Sequence, residues 1–140
     1  LKTKSNKTDL NKLISYSMNT IKKKSIIILI SDFLDKDYMK NLISMSKKHD
    51  LILIQIFDRQ ERKSSNLGII PIQEKESNTN LWINTSSKAY QKTLNKTFEI
   101  NEEKIKNESK KNGINYLKVN TNQDYIPSLI KLFKTRNRYN

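Results

Sequence analysis

Two short apolar runs constrain the fold of this chain more than any other feature. They are Ile26–Ile30 and Leu51–Ile54, and neither alternates apolar with polar residues. A strand with one solvated face alternates, so uninterrupted runs of this length indicate strands that are buried on both faces, as in a parallel sheet covered by helices. Both runs fall far short of the roughly 20 residues that a membrane-spanning helix needs. We therefore expect both runs to be core strands.

Amphipathic segments precede and separate these two runs. Thr8 or Asp9 can cap a first helix, in which apolar residues recur at helical spacing from Leu10 onward. A second helix is expected from about Lys36 to Lys48, between the two strands. The order strand, helix, strand predicts a βαβ unit.

The second half of the chain continues the pattern after a polar stretch. The segment from Ile69 to Ile83 predicts a β-hairpin, in which Pro71 favours an edge strand and Trp82 is expected to pack against a helix. A long helix, a short strand and a last helix follow, and Gly113 is placed just after the end of the long helix.

Strands that alternate with helices predict an α/β fold. We expect a three-layer sandwich in which helices cover a Rossmann-like sheet of mainly parallel strands, with an inserted β-hairpin and one domain over residues 1–140. Ligands of such sheets bind where the strands end at their carboxyl side. Asp32 ends the most apolar strand, so it either binds a ligand there or caps the following turn.

The net charge of +13 suggests nucleic acid as a partner. The kinds of basic residue that produce this charge argue against specific recognition. The chain has 23 Lys and only 4 Arg, whereas readers of phosphates and bases favour the planar fork of Arg. Clusters such as Lys22–Lys24 fall at expected helix ends, where they complement the helix dipole. We expect no specific nucleic-acid binding, and charge-driven binding to nucleic acid or an acidic membrane is the alternative function.

Catalytic chemistry finds little support in the residue types. The chain has no Cys, two Gly and one His, which excludes thiol chemistry and a glycine-rich phosphate loop. His49 is expected at the surface or at a helix C-cap. The paired carboxylates, such as Asp58 with Glu61, lie in polar turns without an apolar pocket that would raise a pKa. We therefore expect a protein that is not an enzyme.

The motif Thr8-Asp9-Leu10, followed by a helix and by the strand that ends in Ser31-Asp32-Phe33-Leu34-Asp35, resembles the second half of von Willebrand factor A domains. It is similar in particular to the bacterial domain of unknown function 58 family, whose strand ends S-D-F-L-D. Further marks appear in family order: His49-Asp50-Leu51, Asp58 with Glu61, Gly68, Asn84-Thr85-Ser86, and Phe133 with Arg136. Arg59 departs from the family, which has Pro at that place.

The resemblance implies an incomplete metal site. Such domains bind a divalent metal through D-x-S-x-S on the first strand, a Thr and an Asp, and the last two correspond to Thr8 and Asp32. The first motif would lie before Leu1, so residues 1–140 are expected to be the carboxyl-terminal portion of the domain. One hydroxyl and one carboxylate cannot hold Mg²⁺ firmly. We expect no cofactor in this chain, and Mg²⁺ only in a longer protein with the upstream motif.

The resemblance also implies a function. It predicts a non-catalytic protein-interaction module that acts with a MoxR-type AAA+ ATPase or with other von Willebrand factor A proteins, in the cytoplasm or attached to a membrane through a longer chain. Candidate interaction residues are those of the family motifs: Ser31, Asp35, Asp58, Glu61 and Arg136. The absent first strand would leave strand 26–30 with an open edge, which favours a homodimer.

Overall fold

The computed structural model describes residues 9–58, 67–73 and 80–136. The chain divides into two compact units, Leu1–Phe57 with Lys106–Asn140, and Asp58–Ile105. The single domain expected over residues 1–140 stays a prediction, since two compact units can belong to one domain.

The described residues contain nine helices and strands. In chain order they are α1 (Leu10–Thr20), β1 (Ile26–Ser31), α2 (Met39–Lys48), β2 (Asp50–Phe57), β3 (Ile69–Gln73), β4 (Asn80–Asn84), α3 (Lys88–Lys111), β5 (Asn115–Asn120) and α4 (Ile126–Arg136). None of these helices combines the length and apolarity that a bilayer crossing requires.

The first unit is built on a parallel sheet with the strand order β1-β2-β5. Ile28 lies opposite Ile52, and Ile54 lies opposite Leu117. Helix α2 packs against both α1 and β2, and α4 packs against β5. The predicted α/β class and the mainly parallel sheet are therefore confirmed.

The two apolar runs differ in their burial. Residues 51–55 of β2 are all buried, as expected for a central strand with both faces covered. In β1 only Ile27 and Leu29 are buried, and every second side chain is exposed. The expectation that strand 26–30 is buried on both faces is therefore wrong for the structure described, because β1 is an edge strand with one uncovered face.

Local signals account for where the first two helices begin. Asp9 caps α1, since its side chain accepts a hydrogen bond from the backbone N–H of Lys12 at 3.0 Å. Helix α2 begins at Met39, three residues later than the predicted Lys36. The reason is Asp37, which has a φ of 62° and so cannot belong to a right-handed helix.

The second unit contains an antiparallel pair, β3 with β4, as the sequence predicts. Pro71 lies opposite Trp82, and both side chains are exposed on the same face of the pair. Trp82 is 69% exposed, so the expectation that it packs against a helix is wrong. The alternation of the strand places Ile83, rather than Trp82, on the more covered face.

Candidate functional site

The predicted site residues Ser31 and Asp32 form a turn at the carboxyl end of β1. Ser31 Oγ accepts a hydrogen bond from the backbone N–H of Phe33 at 3.1 Å. Asp32 Oδ1 accepts one from the backbone N–H of Leu34 at 3.2 Å. Short polar side chains commonly close turns in this way. In the structure Asp32 therefore acts as a turn cap, which is one of the two roles that the sequence left open.

Phe33 is the strained residue at the centre of this turn. Its φ is 55°, a left-handed conformation that a bulky residue adopts at a cost of about 1–3 kcal/mol. The side chain is fully buried, and its ring centroid lies 5.9 Å from that of Tyr38. Burial of an aromatic ring contributes roughly 2–3 kcal/mol, which is enough to offset the strain. The apolar Phe of the motif thus anchors a turn that local backbone preference disfavours.

Asp35, the last residue of the motif, connects the turn to α1. Its Oδ2 accepts a hydrogen bond from the backbone N–H of Leu10 at 2.7 Å. Leu10 is the first residue of α1, so the carboxylate meets the positive end of that helix dipole. The three polar residues of the motif all support the backbone.

A hydrogen-bond chain crosses the sheet beneath the same turn. Gln55 is buried in β2, and its Nε2 donates to the backbone oxygen of Asp32 at 3.1 Å. Its Oε1 accepts from the hydroxyl of Tyr116, in β5, at 2.5 Å. The chain therefore links all three strands: Asp32 directly follows β1, Gln55 lies in the carboxyl half of β2, and Tyr116 is the second residue of β5.

Tyr38 completes the polar contacts around the turn. Its hydroxyl donates to the backbone oxygen of Phe33 at 3.4 Å. Burial raises the pKa of Tyr38 to about 12, and the nearby carboxylates of Asp35 and Asp32 add to that effect. The phenol therefore stays protonated and can donate over the whole physiological range.

Of the two predicted metal ligands, Thr8 and Asp32, only Asp32 lies among the described residues. Thr8 and Glu61 lie outside the described residues, and Asp58 directly follows β2. Within residues 9–58, 67–73 and 80–136, no three His, Asp or Glu side chains form a group that could hold a metal ion. The pairing of Thr8 with Asp32 stays a prediction.

A second group of polar residues lies at the opposite, amino end of the sheet. Arg136, the last residue of α4, forms an ion pair with Asp50, the first residue of β2, through Nη2 and Oδ2. The two residues are 86 positions apart in the chain, so no local spacing signals their contact. The sequence identified Arg136 as a motif residue but did not predict its partner.

His49 lies between α2 and β2 in this region. It is the C-cap residue of α2, which is one of the two positions expected for it, and its side chain is only 4% exposed, so the surface alternative does not apply. Neither ring nitrogen has a hydrogen-bond partner among the described residues, and the same holds for Arg136 Nη1. A buried polar group without a partner costs about 1–3 kcal/mol, and such groups are rare in native proteins.

These residues border a cleft of about 640 Å³, which we call the amino-end cleft. It is lined by residues at the amino ends of all three strands of the sheet, among them Ile26, Leu51 and Asn115. Its charged and titratable lining residues are Lys24, Lys47, Lys48, His49, Asp50 and Arg136. Positive charge and hydrogen-bond donors therefore converge on one cavity.

Comparison with known proteins identifies one family. The family model described as "Protein of unknown function DUF58" matches residues 1–104, which is well over half of the 140 residues. No curated protein and no solved structure matches the chain. The match includes the S-D-F-L-D turn, the His49-Asp50 junction and the β3–β4 pair. The chain therefore belongs to the DUF58 family of proteins of unknown function.

Proposed function

We propose that this chain is a non-catalytic protein-interaction module that binds an extended segment of a partner along the open edge of β1. The observation that carries the proposal is that β1 is an edge strand of the sheet among the described residues and that the apolar side chains of one of its faces are exposed. Ile26, Ile28 and Ile30 are 65%, 45% and 60% exposed. An exposed, apolar edge strand is a template for pairing with another chain.

The hydrogen-bonding groups of β1 support the same role. The backbone oxygen of Ser25 accepts a hydrogen bond from the N–H of Asp50 at 2.9 Å, so the backbone N–H and C=O groups of Ser25 point toward β2. Because successive residues of a parallel strand point to opposite sides, the N–H and C=O groups of Ile26, Ile28 and Ile30 point to the open edge. β1 itself contains no Lys or Pro that would block an added strand.

A second copy of the chain fits this edge. In an antiparallel pairing around a two-fold axis at Ile28, each Ile26 lies opposite the other copy's Ile30. The same register places Lys24 of each copy opposite Asp32 of the other. Cross-strand apolar and opposite-charge pairs each contribute roughly 0.2–1 kcal/mol. The homodimer is therefore our first proposed assembly.

A MoxR-type AAA+ ATPase is the proposed partner in a larger assembly. Support for it comes from the likeness of the S-D-F-L-D strand to the von Willebrand factor A domains described above. The same likeness supports a Rossmann-like sheet to which a further strand, carrying a D-x-S-x-S motif, is added beside β1. That strand and a partner segment would compete for the same edge.

The test is the mass of the protein in solution, measured by light scattering at tens of micromolar. We expect about twice the monomer mass for the wild type and a monomer for Ile28→Pro, which removes a donor that points away from β2. Ile28→Thr is the matched control, since it keeps the N–H and should retain part of the association. A monomeric wild type that also fails to co-elute with a purified MoxR-type AAA+ ATPase would contradict the proposal.

Charge-driven binding of nucleic acid or an acidic membrane is the alternative, and the convergence of four cationic side chains at the amino-end cleft favours it. Such binding would be independent of base sequence and would fall steeply with salt. Fluorescence anisotropy with two unrelated oligonucleotides, at low and physiological salt, separates it from the first proposal. Equal, salt-sensitive affinities together with a monomeric protein would support the alternative.

A further inference from the structure

The amino-end cleft differs from the open edge of β1 in its chemistry. Four of its side chains, Lys24, Lys47, Lys48 and Arg136, are cationic, and one, Asp50, is a carboxylate. The carboxyl ends of α2, α3 and α4 all border the cleft, and each helix dipole opposes an anion with about half a unit charge. The positive side chains therefore outweigh the negative groups, and the cleft favours an anion.

Buried donors point to the same kind of ligand. His49 is more than nine-tenths buried, and its ring nitrogens have no partner in the described part of the chain. Arg136 uses Nη2 for Asp50, which leaves Nη1 without a partner there. An imidazole N–H and a guanidinium N–H both donate, and an oxyanion can accept from the two at once.

We propose that the amino-end cleft binds a small phosphate-bearing molecule, with Arg136 Nη1 and the imidazole of His49 as donors and Lys24 and Lys48 as surrounding positive charge. A phosphate group presents several acceptor oxygens to donors that arrive from different elements, here α2 and α4. The volume of about 640 Å³ lies within the roughly 300–1,000 Å³ that is usual for small-molecule sites. The donors meet in one cavity, which favours a small molecule over a polymer.

The first experiment uses the single histidine of the chain. The imidazole signals of His49 in a proton–nitrogen NMR spectrum need no assignment, because no other histidine contributes. Titration with inorganic phosphate should move them along a saturable curve, while potassium chloride at the same ionic strength should not. Equal responses to phosphate and chloride would overturn the proposal.

Matched variants test the proposed contacts. Lys48→Gln removes one charge at the cleft and should weaken phosphate binding about 2–5-fold. Lys40→Gln removes an exposed charge from the same helix but does not line the cleft, so binding should be unchanged. His49→Phe keeps the buried ring and should lose at least half of the phosphate affinity, measured by calorimetry. Equal affinity in Lys48→Gln and Lys40→Gln would contradict the site even if His49→Phe fails to fold.

Two further titrations identify the source of the phosphate. Tighter binding of a nucleoside monophosphate than of inorganic phosphate would support a phosphate ester as the ligand, and equal binding would support free phosphate. A single-stranded oligonucleotide that binds while inorganic phosphate leaves the His49 signals unchanged would overturn the small-molecule proposal in favour of a polymer. Because Lys24 takes part in both proposals, the titrations are repeated on Ile28→Pro, which should be monomeric, so that a failure of the cleft and a failure of the β1 edge remain distinguishable.

Discussion

The two ends of the parallel sheet satisfy their polar groups in opposite ways. At the carboxyl end, Ser31, Asp32 and Asp35 accept hydrogen bonds from backbone N–H groups, and Gln55 uses both its oxygen and its nitrogen. At the amino end, both nitrogens of His49 lack partners among the described residues. The comparison indicates that the polar groups at the carboxyl end maintain the fold, whereas the amino end has buried hydrogen-bonding groups that a ligand could use. Substitutions at each end should therefore differ in the sign of their effect on stability.

The largest expected effect is at the turn. Phe33→Ala should lower the free energy of unfolding by about 3 kcal/mol, because it removes a fully buried ring and leaves a residue that is still strained at a φ of 55°. Denaturant unfolding measures the change. Leu34→Ala, at an exposed neighbouring position, is the control and should change stability by less than about 0.5 kcal/mol. Similar losses in both variants would mean that the turn does not depend on its buried ring.

The next effect is a loss of stability at alkaline pH. Because the folded protein holds the proton of Tyr38 more tightly, with a pKa of about 12 against an ordinary 10, its contribution is complete below pH 10 and is lost as the pH rises toward 12. Two pKa units correspond to an upper bound of about 2–3 kcal/mol. Tyr38→Phe should lack this part of the pH dependence, so the stability difference between the two proteins should change between pH 10 and 12. A constant difference across that range would contradict the raised pKa.

A smaller loss is expected from the hydrogen-bond chain across the sheet. Gln55→Leu should lower the free energy of unfolding by about 1–2 kcal/mol, since Tyr116 and the backbone oxygen of Asp32 each lose the hydrogen bond to Gln55. Adding Tyr116→Phe to Gln55→Leu should cost less than Tyr116→Phe does alone. Strictly additive losses in this double-mutant cycle would show that the two side chains act independently.

The smallest effect has the opposite sign and lies at the amino end. His49→Phe should raise the free energy of unfolding by about 1 kcal/mol in buffer without phosphate, because it replaces polar atoms that lack partners with an apolar ring. Thermal unfolding in chloride buffer measures the change. A destabilised variant would mean that His49 already has a partner, and the contrast between the two ends of the sheet would fail.

Much of the fold could be predicted from local signals. The apolar runs located β1 and β2, and Asp9 and Gly113 marked the ends of helices, since each works through its own neighbours in the chain. The left-handed backbone of Asp37 could not be predicted, because Asp adopts that conformation only at some positions and the sequence does not mark which ones.

The candidate site was harder to predict for a related reason. The S-D-F-L-D motif could be recognised in the sequence. Its side-chain oxygens accept hydrogen bonds from the backbone of the turn and of α1, and the sequence alone does not show these contacts. The ion pair of Asp50 with Arg136 depends on how α4 packs beside the sheet, and the burial of His49 likewise depends on packing. Contacts between distant segments leave no periodic trace in the sequence.

The connection between α2 and β2 has a mechanical consequence. The helix ends at Lys48 and the strand begins at Asp50, so His49 alone joins them. A connection of one residue cannot lengthen to absorb a movement. Any displacement of the His49 backbone must therefore shift either α2 along its axis or β2 against its neighbouring strands. Phosphate binding in the cleft should therefore also affect the central strand, β2. Slower amide hydrogen exchange at residues 51–54 in saturating phosphate would show this effect.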